Sequence, residues 1–584
     1  MLKFALKRTL ISIPTLLAII TLVFFLVHIT PGNPFDGERA LSPEALKALM
    51  AQYRLDLPIW QQYLMYLNDL LHGSFGISMK YFGQSINSLL FPDNMGGFWV
   101  TLRVSIYTMT VAVPIGILFG AYAGLHKNSI FDKVVVACNI FFTAIPTMVT
   151  GPIFILIFAV TLRLFPAGGW GDGDFLHLFL PVLILILAYA PPIAFVMRGS
   201  IIEVLNSNYI RTARAKGLPN KQILFKHAIK PALLPVISLL GPMFAGVLVG
   251  AVVTEQIFTL PGLGVLTTNA ATNRDLILLL IFCKWYLTLR LNNRGFIMSI
   301  IQLNNAPKTK GFWSSVFSRL RHNKLAMTSG VIIILLTLMC IFAPMLSSAT
   351  YDKTDWGAIL ETPSLQHLFG TDSLGRDLFV RCFIGGRITF EIAFAAAFVV
   401  LLVGIFYGAI AGYVGGKVDT VMMRVVDVLY GIPFLFFCIL LITLFGNSMA
   451  LSFVAIAAIS WLDMSRIVRG QTLSLKHKEF VEAARISGLS NLKIITRHII
   501  PNLLGVVIVY AALTVPNMIV LSAVFSCFGL GVTEPMTSWG LLIADGSQNM
   551  DAWWLLLFPA GLMIITLLSF AFFANGLRDA LDPR

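Results

Sequence analysis

Apolar runs of about 20 residues recur along the sequence and are separated by short polar segments. The clearest runs span residues 11–28, 100–124, 178–196, 330–346 and 553–573. Folded as a helix, each run is long enough to cross the roughly 30 Å hydrocarbon core of a bilayer. The alternating pattern typical of outer-membrane strands is absent. The pattern therefore predicts an all-α integral membrane protein that crosses the membrane many times.

Composition agrees with this prediction. The chain has 584 residues, of which 57% are hydrophobic and 12% are charged, and its mean hydropathy is +0.84. Soluble domains carry about 25% charged residues, so an ordinary soluble protein is excluded. No small-residue cleavage site follows the first apolar run, which we expect to remain as a membrane anchor. The net charge of +14 comes from basic residues in short loops, so the positive-inside rule explains it and no nucleic-acid partner is predicted.

An internal repeat divides the chain. The segment Arg198–His227 returns at a constant offset as Arg469–His498, with matching arginine, glycine, alanine, isoleucine and histidine positions. A second pair of landmarks agrees, because Asp132 and Asp419 are each followed at the same spacing by a proline. Self-similarity of this kind indicates a duplicated architecture. We therefore predict two homologous halves of about six transmembrane helices each.

Loop charges predict how the halves cross the membrane. Basic residues mark cytoplasmic loops, and both copies of the repeated segment fall on that side. The first half is assigned residues 1–290, with a periplasmic stretch at about 31–97. An irregular junction and cytoplasmic lead-in follow at 291–325, and the second half covers 326–584. Its spans are predicted near 326–346, 389–414, 421–445, 450–468, 503–525 and 553–573.

The junction departs from the pattern of the rest of the chain. A sixth span is due before it, yet Lys284, Arg290 and Arg294 fall where lipid is expected. A basic residue at mid-bilayer costs about 2.5–3.5 kcal/mol on insertion scales. Residues 276–289 therefore form either a short, distorted span or no span. Met298 begins a stretch like a natural amino terminus, which favours two joined or frameshifted reading frames; an unusual but functional linker is the alternative.

The repeated segment has the pattern of a short cytoplasmic docking helix. Its helical part, about 208–216 in the first copy and 479–487 in the second, ends at Gly217 or Gly488. Glycine there can adopt the positive φ that closes a helix and turns the chain. A histidine follows each glycine at equal spacing and leads into the next span. A single copy could be interpreted as a basic loop that obeys the positive-inside rule. Two matching copies favour a docking surface through which a soluble partner moves the adjoining membrane spans.

This segment resembles the coupling-helix signature of permease subunits in the peptide and nickel ABC importer family. The second copy keeps the signature as Glu482-Ala483-Ala484 with Gly488, whereas Arg211-Thr212-Ala213 replaces the acidic triplet in the first. The first half resembles the family's B-type subunit, for example at Pro261-Gly262-Leu263-Gly264, and the second its C-type subunit, for example at Gly529-Leu530-Gly531. The resemblance implies the type I ABC importer permease fold. It also implies that the ATPase-coupling loops contain Arg211, Ala213, Gly217, His227, Glu482, Ala483, Ala484, Gly488 and His498.

By the same resemblance, the chain would be the pore component of an ATP-driven peptide importer in the bacterial inner membrane, each half supplying one membrane half. The implied partners are two ABC ATPase subunits, a periplasmic peptide-binding protein, the peptide substrate and membrane lipid. No GxxxxGK[ST] phosphate loop occurs in the sequence, so we expect no cofactor on this chain and ATP-Mg in the partner subunits. The chain is accordingly predicted to be a permease and not an enzyme.

Some residues depart from the family pattern or suggest other chemistry. The first half lacks the closing Asp-Pro-Arg of the B-type subunit, and Ser522 stands where the C-type subunit usually has glutamate. No histidines group at metal-ligand spacing, so no metal site is predicted. Arg424 and Asp427 share a helix face and form either a relay within the membrane or an anchor at its surface.

Two other functions stay open. A nickel-chelate permease of the same family has the same motifs, because the separate binding protein largely selects the substrate. An ion-coupled secondary transporter is also built from repeats, but it needs acidic residues at mid-membrane and no docking loops. The repeated docking segment and the scarcity of mid-membrane acids favour the ABC permease.

Overall fold

A computed structural model describes residues 43–272 and 312–581, together with scattered residues between 14 and 25. Within these ranges, residues 79–80, 82, 93–95, 220–221, 348, 431–436, 438–440, 442–448 and 530 are not described. The predicted spans at 11–28 and 421–445 therefore lie partly outside the described residues, and the possible span at 276–289 lies wholly outside them. In the described part of the chain, all regular elements are helical.

The described part of the first half contains ten α-helices. They are α1 (Pro43–Gln52), α2 (Ile59–Leu71), α3 (Ile86–Leu90), α4 (Phe98–Leu125), α5 (Ile130–Ala144), α6 (Thr147–Phe154), α7 (Phe175–Leu205), α8 (Asn208–Ala215), α9 (Ile229–Ile257) and α10 (Leu263–Thr272). A π-helical turn at Ile155–Thr161 continues α6, and another at Ile223–Ala228 precedes α9. Residues 84–269 pack as one compact unit.

The described part of the second half contains a further ten α-helices. They are α11 (Phe312–His322), α12 (Lys324–Phe342), α13 (Leu378–Val414), α14 (Gly416–Leu429), α15 (Met449–Leu475), α16 (Glu479–Ile486), α17 (Asn491–Ile494), α18 (Ile500–Cys527), α19 (Trp539–Gln548) and α20 (Trp553–Leu581). A π-helical turn at Ile495–Ile499 joins α17 to α18. Residues 312–581 belong to a second compact unit, as do 270–272 and the described residues before 84.

Seven of the described helical segments are long and apolar enough to cross a membrane. They are Phe98–Leu125, Phe175–Leu205, Ile223–Ile257, Lys324–Leu346, Leu378–Val414, Asn491–Cys527 and Trp553–Leu581. The number rises to eight if the bent pair α5 and α6 counts as one span. The all-α, multi-span architecture predicted from the apolar runs is confirmed.

The two limbs of the bent pair, α5 and α6 with its π turn, meet at an angle of 99°. Pro146 stands at the break, and the residue before it, Ile145, is extended with a ψ of 118°. Proline disfavours the helical conformation in the preceding residue and cannot donate a helical hydrogen bond. The segment formed by α5 and α6 is therefore a broken span or a re-entrant segment rather than a straight helix.

Glycine stripes explain how the long helices pack closely. The glycines are Gly116, Gly120 and Gly124 on α4 and Gly404, Gly408 and Gly412 on α13. A Cβ on Gly120 would overlap the carbonyl oxygen of Ala194 in α7, and a Cβ on Gly408 would overlap that of Ser465 in α15. Small residues at every fourth position share one helix face and let two backbones approach. The same packing therefore recurs in both halves.

Helix ends extend beyond the predicted apolar runs. α13 begins at Leu378, about three turns before the span predicted to start near residue 389, so the helix is longer than the predicted span. The Asp377 side chain caps this helix by accepting a hydrogen bond from the Val380 amide at 3.0 Å. Because capping residues and polar first turns fall outside an apolar window, hydropathy underestimates the length of the helix.

Candidate functional site

Helices α8 and α16 are the two copies of the repeated segment. Their bounds agree with the predicted 208–216 and 479–487 to within one residue. α8 buries Ile210 and Ala213, and α16 buries Val481 and Ala484 at the matching positions. In the first copy these side chains pack against residues of the chain that returns toward α9. Each short helix is therefore anchored along one face, and the opposite face is exposed.

The predicted coupling residues fall on both faces. Ala213 and Ala484 lie on the anchored face. Arg211, Glu482 and Ala483 are exposed and available to a partner. The alanine positions of the signature thus have two physical roles, since one alanine packs inward and another leaves the outer surface small.

Both helices end with the same capping motif. Gly217 and Gly488 have φ angles of +74° and +75°. The Gly217 amide donates to the Arg214 carbonyl at 2.9 Å, and the Leu218 amide donates to the Ala213 carbonyl at 3.3 Å. The second copy repeats these two bonds at 3.1 and 3.3 Å. This pair of bonds is a Schellman motif, whose closing residue needs a positive φ.

Space around these two glycines is open. A Cβ at Gly217 or at Gly488 would meet nothing within 4 Å. The backbone conformation, rather than crowding, is therefore what requires glycine at these positions.

The two histidines of the repeat occupy matching turns. His227 lies in the π-helical turn before α9, and His498 lies in the π-helical turn before α18. Both side chains are half-buried. The prediction that each histidine leads into the next span is confirmed, and the π turns were not foreseen.

The exposed faces of the two short helices differ in charge. On and just after α8 the exposed charged residues are Arg211, Arg214 and Lys216, and on α16 they are Glu479, Glu482 and Arg485. The first surface is therefore basic, and the second is mixed with an acidic excess. Two helices with the same anchoring and the same cap thus present different surfaces.

An ion pair lies near each short helix, and the two pairs occupy matching positions. Arg198 of α7 donates through Nε and Nη2 to both oxygens of Asp132 in α5, with Nη2 to Oδ2 at 2.9 Å. Arg469 of α15 binds Asp419 of α14 in the same way, with Nη2 to Oδ2 at 2.6 Å. All four residues are landmarks of the repeat, but their spacing in the sequence does not show that they pair.

The second half has a further ion pair between the same two helices, α14 and α15. Arg466 Nη2 donates to Asp427 Oδ1 at 3.1 Å, and its guanidinium lies 4.4 Å from the centre of the Tyr430 ring. Arg424, the predicted partner of Asp427, is more distant at 3.9 Å. The pairing of Asp427 with its own helix neighbour is thus secondary to its contact with α15.

A buried carboxylate organises the other end of the first unit. Glu255 at the end of α9 is fully buried, and it accepts hydrogen bonds from Thr101 Oγ1 at 2.5 Å and from the Gly264 amide at 2.6 Å. Thr101 Oγ1 also accepts from the Leu263 amide at 2.9 Å. Carboxylate and hydroxyl together cap the first turn of α10, where free amides favour an acceptor.

The second half builds a similar cap without an acid. Thr389 Oγ1 accepts a hydrogen bond from the Trp539 amide at 3.3 Å, at the start of α19. Ser522, which stands where the family usually has glutamate, is buried in α18. A threonine hydroxyl that accepts a backbone hydrogen bond at the start of the next helix is therefore common to both halves.

Charged residues around the start of α13 form a network in the second unit. Arg376 donates to Asp372 through Nε at 2.7 Å and to Glu534 through Nη2 at 2.9 Å. Arg381 is fully buried, and its guanidinium lies 3.4 Å from the Asp372 carboxylate. The hydrogen bond from Arg376 lowers the pKa of Glu534 below its ordinary value. These contacts therefore fix the loop before α19 to the start of α13.

Across the described residues, no three histidine, cysteine, aspartate or glutamate side chains group as a metal site would require. Cys138, Cys340, Cys382 and Cys527 are free thiols.

Comparison with known families identifies the class of protein. Residues 116–345 and 404–584 match the family described as binding-protein-dependent transport system inner membrane component. Residues 1–85 match the N-terminal family of the same membrane components. The chain therefore belongs to this family of transport-system membrane components.

Individual relatives divide into two kinds. The chain is 55% identical over 278 residues to the oligopeptide transport system permease protein OppC of Escherichia coli strain K12, covering 47% of this chain and 92% of the relative. It is 46% identical over 280 residues to the permease protein OppB of Salmonella typhimurium, covering 48% of this chain and 90% of the relative. The OppB of Haemophilus influenzae is 45% identical over 280 residues.

These relationships confirm the family that the sequence motifs predicted. The chain is a multi-pass inner-membrane permease component in which a B-type sequence is joined to a C-type sequence. It is a permease rather than an enzyme, and membership implies partners of the ABC transporter kind, such as ATPases and a substrate-binding protein. The exact boundaries of the two halves, 1–290 and 326–584, stay predictions.

Proposed function

We propose that this chain supplies both permease halves of an ATP-driven importer of oligopeptides, and that α8 and α16 are its docking sites for two ABC ATPase subunits. The observation that carries the proposal is the duplicated docking element. Each copy is a short helix with one anchored face, one exposed face and a Schellman cap at its end. The names of the OppB and OppC relatives supply the substrate class.

Each predicted coupling residue receives a role within this proposal. Ala213 and Ala484 hold the helices against their own unit, and Gly217 and Gly488 turn the chain back toward the membrane. Arg211, Glu482 and Ala483 face the ATPases. His227 and His498 begin the segment that conveys displacement into the following span. A helix tied at both ends transmits a push better than a flexible loop because it does not absorb the displacement.

The remaining partners follow from the same proposal. ATP and Mg²⁺ would be bound by the partner subunits, since the sequence contains no phosphate-binding loop, and this chain would need no cofactor. The stretch at about 31–97, which contains α1 to α3, would face the periplasm and receive a peptide-loaded binding protein. Membrane lipid would surround the spans.

Replacing the capping glycines tests the docking role. Gly217→Pro and Gly488→Pro fix φ near −65°, which is incompatible with the Schellman cap. We expect both variants to lose co-purification of the ATPases and uptake of a labelled mixture of short peptides by about tenfold or more, since a terminal cap contributes about 1 kcal/mol and a misplaced proline more. Uptake is measured in cells that express the full chain with its ATPases and binding protein.

Asparagine provides the matched control. Gly217→Asn and Gly488→Asn should retain docking and uptake, because asparagine tolerates the left-handed conformation. Wild-type co-purification and uptake in the proline variants would count against the proposal. Uptake of nickel chelates in place of peptides would leave the docking role standing and refute the substrate class.

A further inference from the structure

The two arginine–aspartate pairs near the docking helices are built alike. In each, a guanidinium donates from Nε and Nη2 to the two oxygens of one carboxylate. The side chains of Asp132 and Asp419 are only 3% and 13% exposed, and those of Arg198 and Arg469 are 20% and 21% exposed. Both pairs are therefore shielded from solvent and from its screening of charge.

The pairs join equivalent elements in the two halves. Arg198 stands in α7, which leads directly into docking helix α8, and Arg469 stands in α15, which leads into α16. The two arginines precede their docking helices by the same number of residues. Asp132 and Asp419 lie in the first turns of α5 and α14, the helices that follow the short loops after α4 and α13. Each pair therefore joins the long helix that precedes a docking helix, α7 or α15, to a neighbouring helix, α5 or α14.

Local contacts hold one aspartate firmly in place. The Asn128 amide donates to Asp132 Oδ2 at 2.8 Å, and the Asp132 amide donates to the Ser129 hydroxyl at 3.1 Å. The helix start therefore helps to orient the carboxylate that the arginine binds. In this half, the helix that carries the aspartate is the first limb of the bent pair, so a pull on Asp132 acts on the end of that limb opposite the break at Pro146.

Stability alone is a weak explanation for these pairs. A buried ion pair often contributes little net stability, because desolvation of the charges offsets their attraction. A two-pronged guanidinium–carboxylate contact, however, fixes orientation as well as distance. Two such contacts, at the same place in both halves, are what a mechanical link between helices requires.

We propose that Asp132–Arg198 and Asp419–Arg469 are positioning links that carry the displacement of a docking helix into α5 or α14. This inference rests on the proposed docking role of α8 and α16. When an ATPase moves a docking helix, α7 or α15 moves with it, and the rigid pair makes the neighbouring helix follow. Without the link, the ATPases still dock and hydrolyse ATP, but less of the movement reaches the transport path.

Transport per ATP hydrolysed tests this role directly. The full chain is reconstituted in proteoliposomes with its ATPases and binding protein, as wild type or with Asp132→Asn, Arg198→Gln, Asp419→Asn or Arg469→Gln. We expect each variant to move about tenfold less peptide per ATP, while ATPase co-purification stays within about twofold of wild type. The double variant Asp132→Asn/Arg198→Gln should lose no more than either single variant, because both remove one shared contact.

Controls separate a link from a purely structural contact. Lys133→Gln and Lys417→Gln remove exposed charges beside the two aspartates and should leave the ratio unchanged. Arg198→Lys keeps the positive charge but loses the two-pronged contact with the carboxylate. It should give an intermediate transport-to-ATP ratio even if the neutral variants fold poorly. An unchanged transport-to-ATP ratio in the single variants or additive losses in the double variant would overturn the proposal. Failure of the docking role would appear separately, as ATPase binding retained by Gly217→Pro and Gly488→Pro.

Discussion

At the scale of single residues, Gly408 determines how closely α13 and α15 approach. A Cβ at this position would overlap the Ser465 carbonyl oxygen and would come within 2.9 Å of the Val468 side chain. A backbone atom cannot move aside as the end of a flexible side chain can. Gly120 has the same role on α4, where the obstacle is the Ala194 carbonyl.

A larger residue at Gly408 should therefore destabilise the protein. Gly408→Val is expected to lower the free energy of unfolding by about 3 kcal/mol or more, because overpacking a rigid contact costs 1–3 kcal/mol and backbone cannot relax. Thermal unfolding of the detergent-purified chain, followed by the reactivity of buried thiols, measures this. Gly561→Ala is the control, since a Cβ there meets nothing within 4 Å and alanine favours a helix. Equal melting temperatures for wild type and Gly408→Val would contradict the packing argument.

Some of these contacts can be predicted from the spacing of residues in the sequence, and others cannot. The stripe of three glycines on α4 is visible as a period of four, although the partner helix is not. The capping role of Gly217 is also readable, because a glycine that follows a short amphipathic helix commonly closes it. The pairing of Asp132 with Arg198 is not readable, because these residues are far apart in the chain and meet only through the packing of α5 on α7.

At the scale of elements, α8 and α16 combine equal anchoring with unequal surfaces. The anchored residues Ile210 and Val481 are both fully buried. The exposed surface is basic on α8 and has an acidic excess on α16. Charge complementarity governs partner choice more than it governs raw affinity. The two docking helices should therefore prefer different ATPase surfaces.

Exchanging one helix for the other tests this preference. A chimera that carries the sequence of residues 479–486 at positions 208–215 keeps the anchoring pattern and the Gly217 cap. We expect it to fold but to lose about tenfold or more in peptide uptake, since each misplaced charge at an interface costs on the order of 1 kcal/mol. Ile210→Val is the matched control, because it exchanges only the buried residue. A chimera with wild-type uptake would show that the surface charges do not select the partner.

The ends of helices were predictable only where the sequence carries a signal for the end of the helix itself. The two short docking helices were placed to within a residue because a glycine follows the end of each. α13 begins about three turns before its predicted span, because its first turns carry Arg381 and follow the capping residue Asp377. The break at Pro146 was likewise visible as a proline, but the 99° bend depends on packing.

At the scale of the whole molecule, the duplicated architecture is readable from the repeat, and the junction is not. The described residues provide seven or eight candidate spans in two units. The basic residues Lys284, Arg290 and Arg294, the start-like Met298 and the lead-in around Lys308 all lie outside the described residues. The orientation of the second half therefore has to be argued from charge.

Charge strongly favours a cytoplasmic location for the region around Lys308. If the first half ended on the outer side, five basic residues would be stranded in the periplasm and the second half would insert in the opposite orientation. They are Lys308, Lys310, Arg319, Arg321 and Lys324. Each basic residue near an anionic cytoplasmic surface contributes about 1 kcal/mol. We therefore predict that the region is cytoplasmic, either because 276–289 cross as a short span or because translation restarts at Met298.

Cysteine labelling decides this topology. In a background with the six native cysteines replaced by alanine, Lys310→Cys should resist a membrane-impermeant maleimide in spheroplasts and react after lysis. Lys353→Cys, in the exposed segment between α12 and α13, should react in intact spheroplasts, and Lys127→Cys, in the loop after α4, should not. Rapid labelling at position 310 before lysis would refute both routes to a cytoplasmic junction.

If position 310 is protected from the reagent, a blot against each end of the chain separates the two routes. A single full-length band requires 276–289 to cross the membrane, and two shorter bands require a restart at Met298.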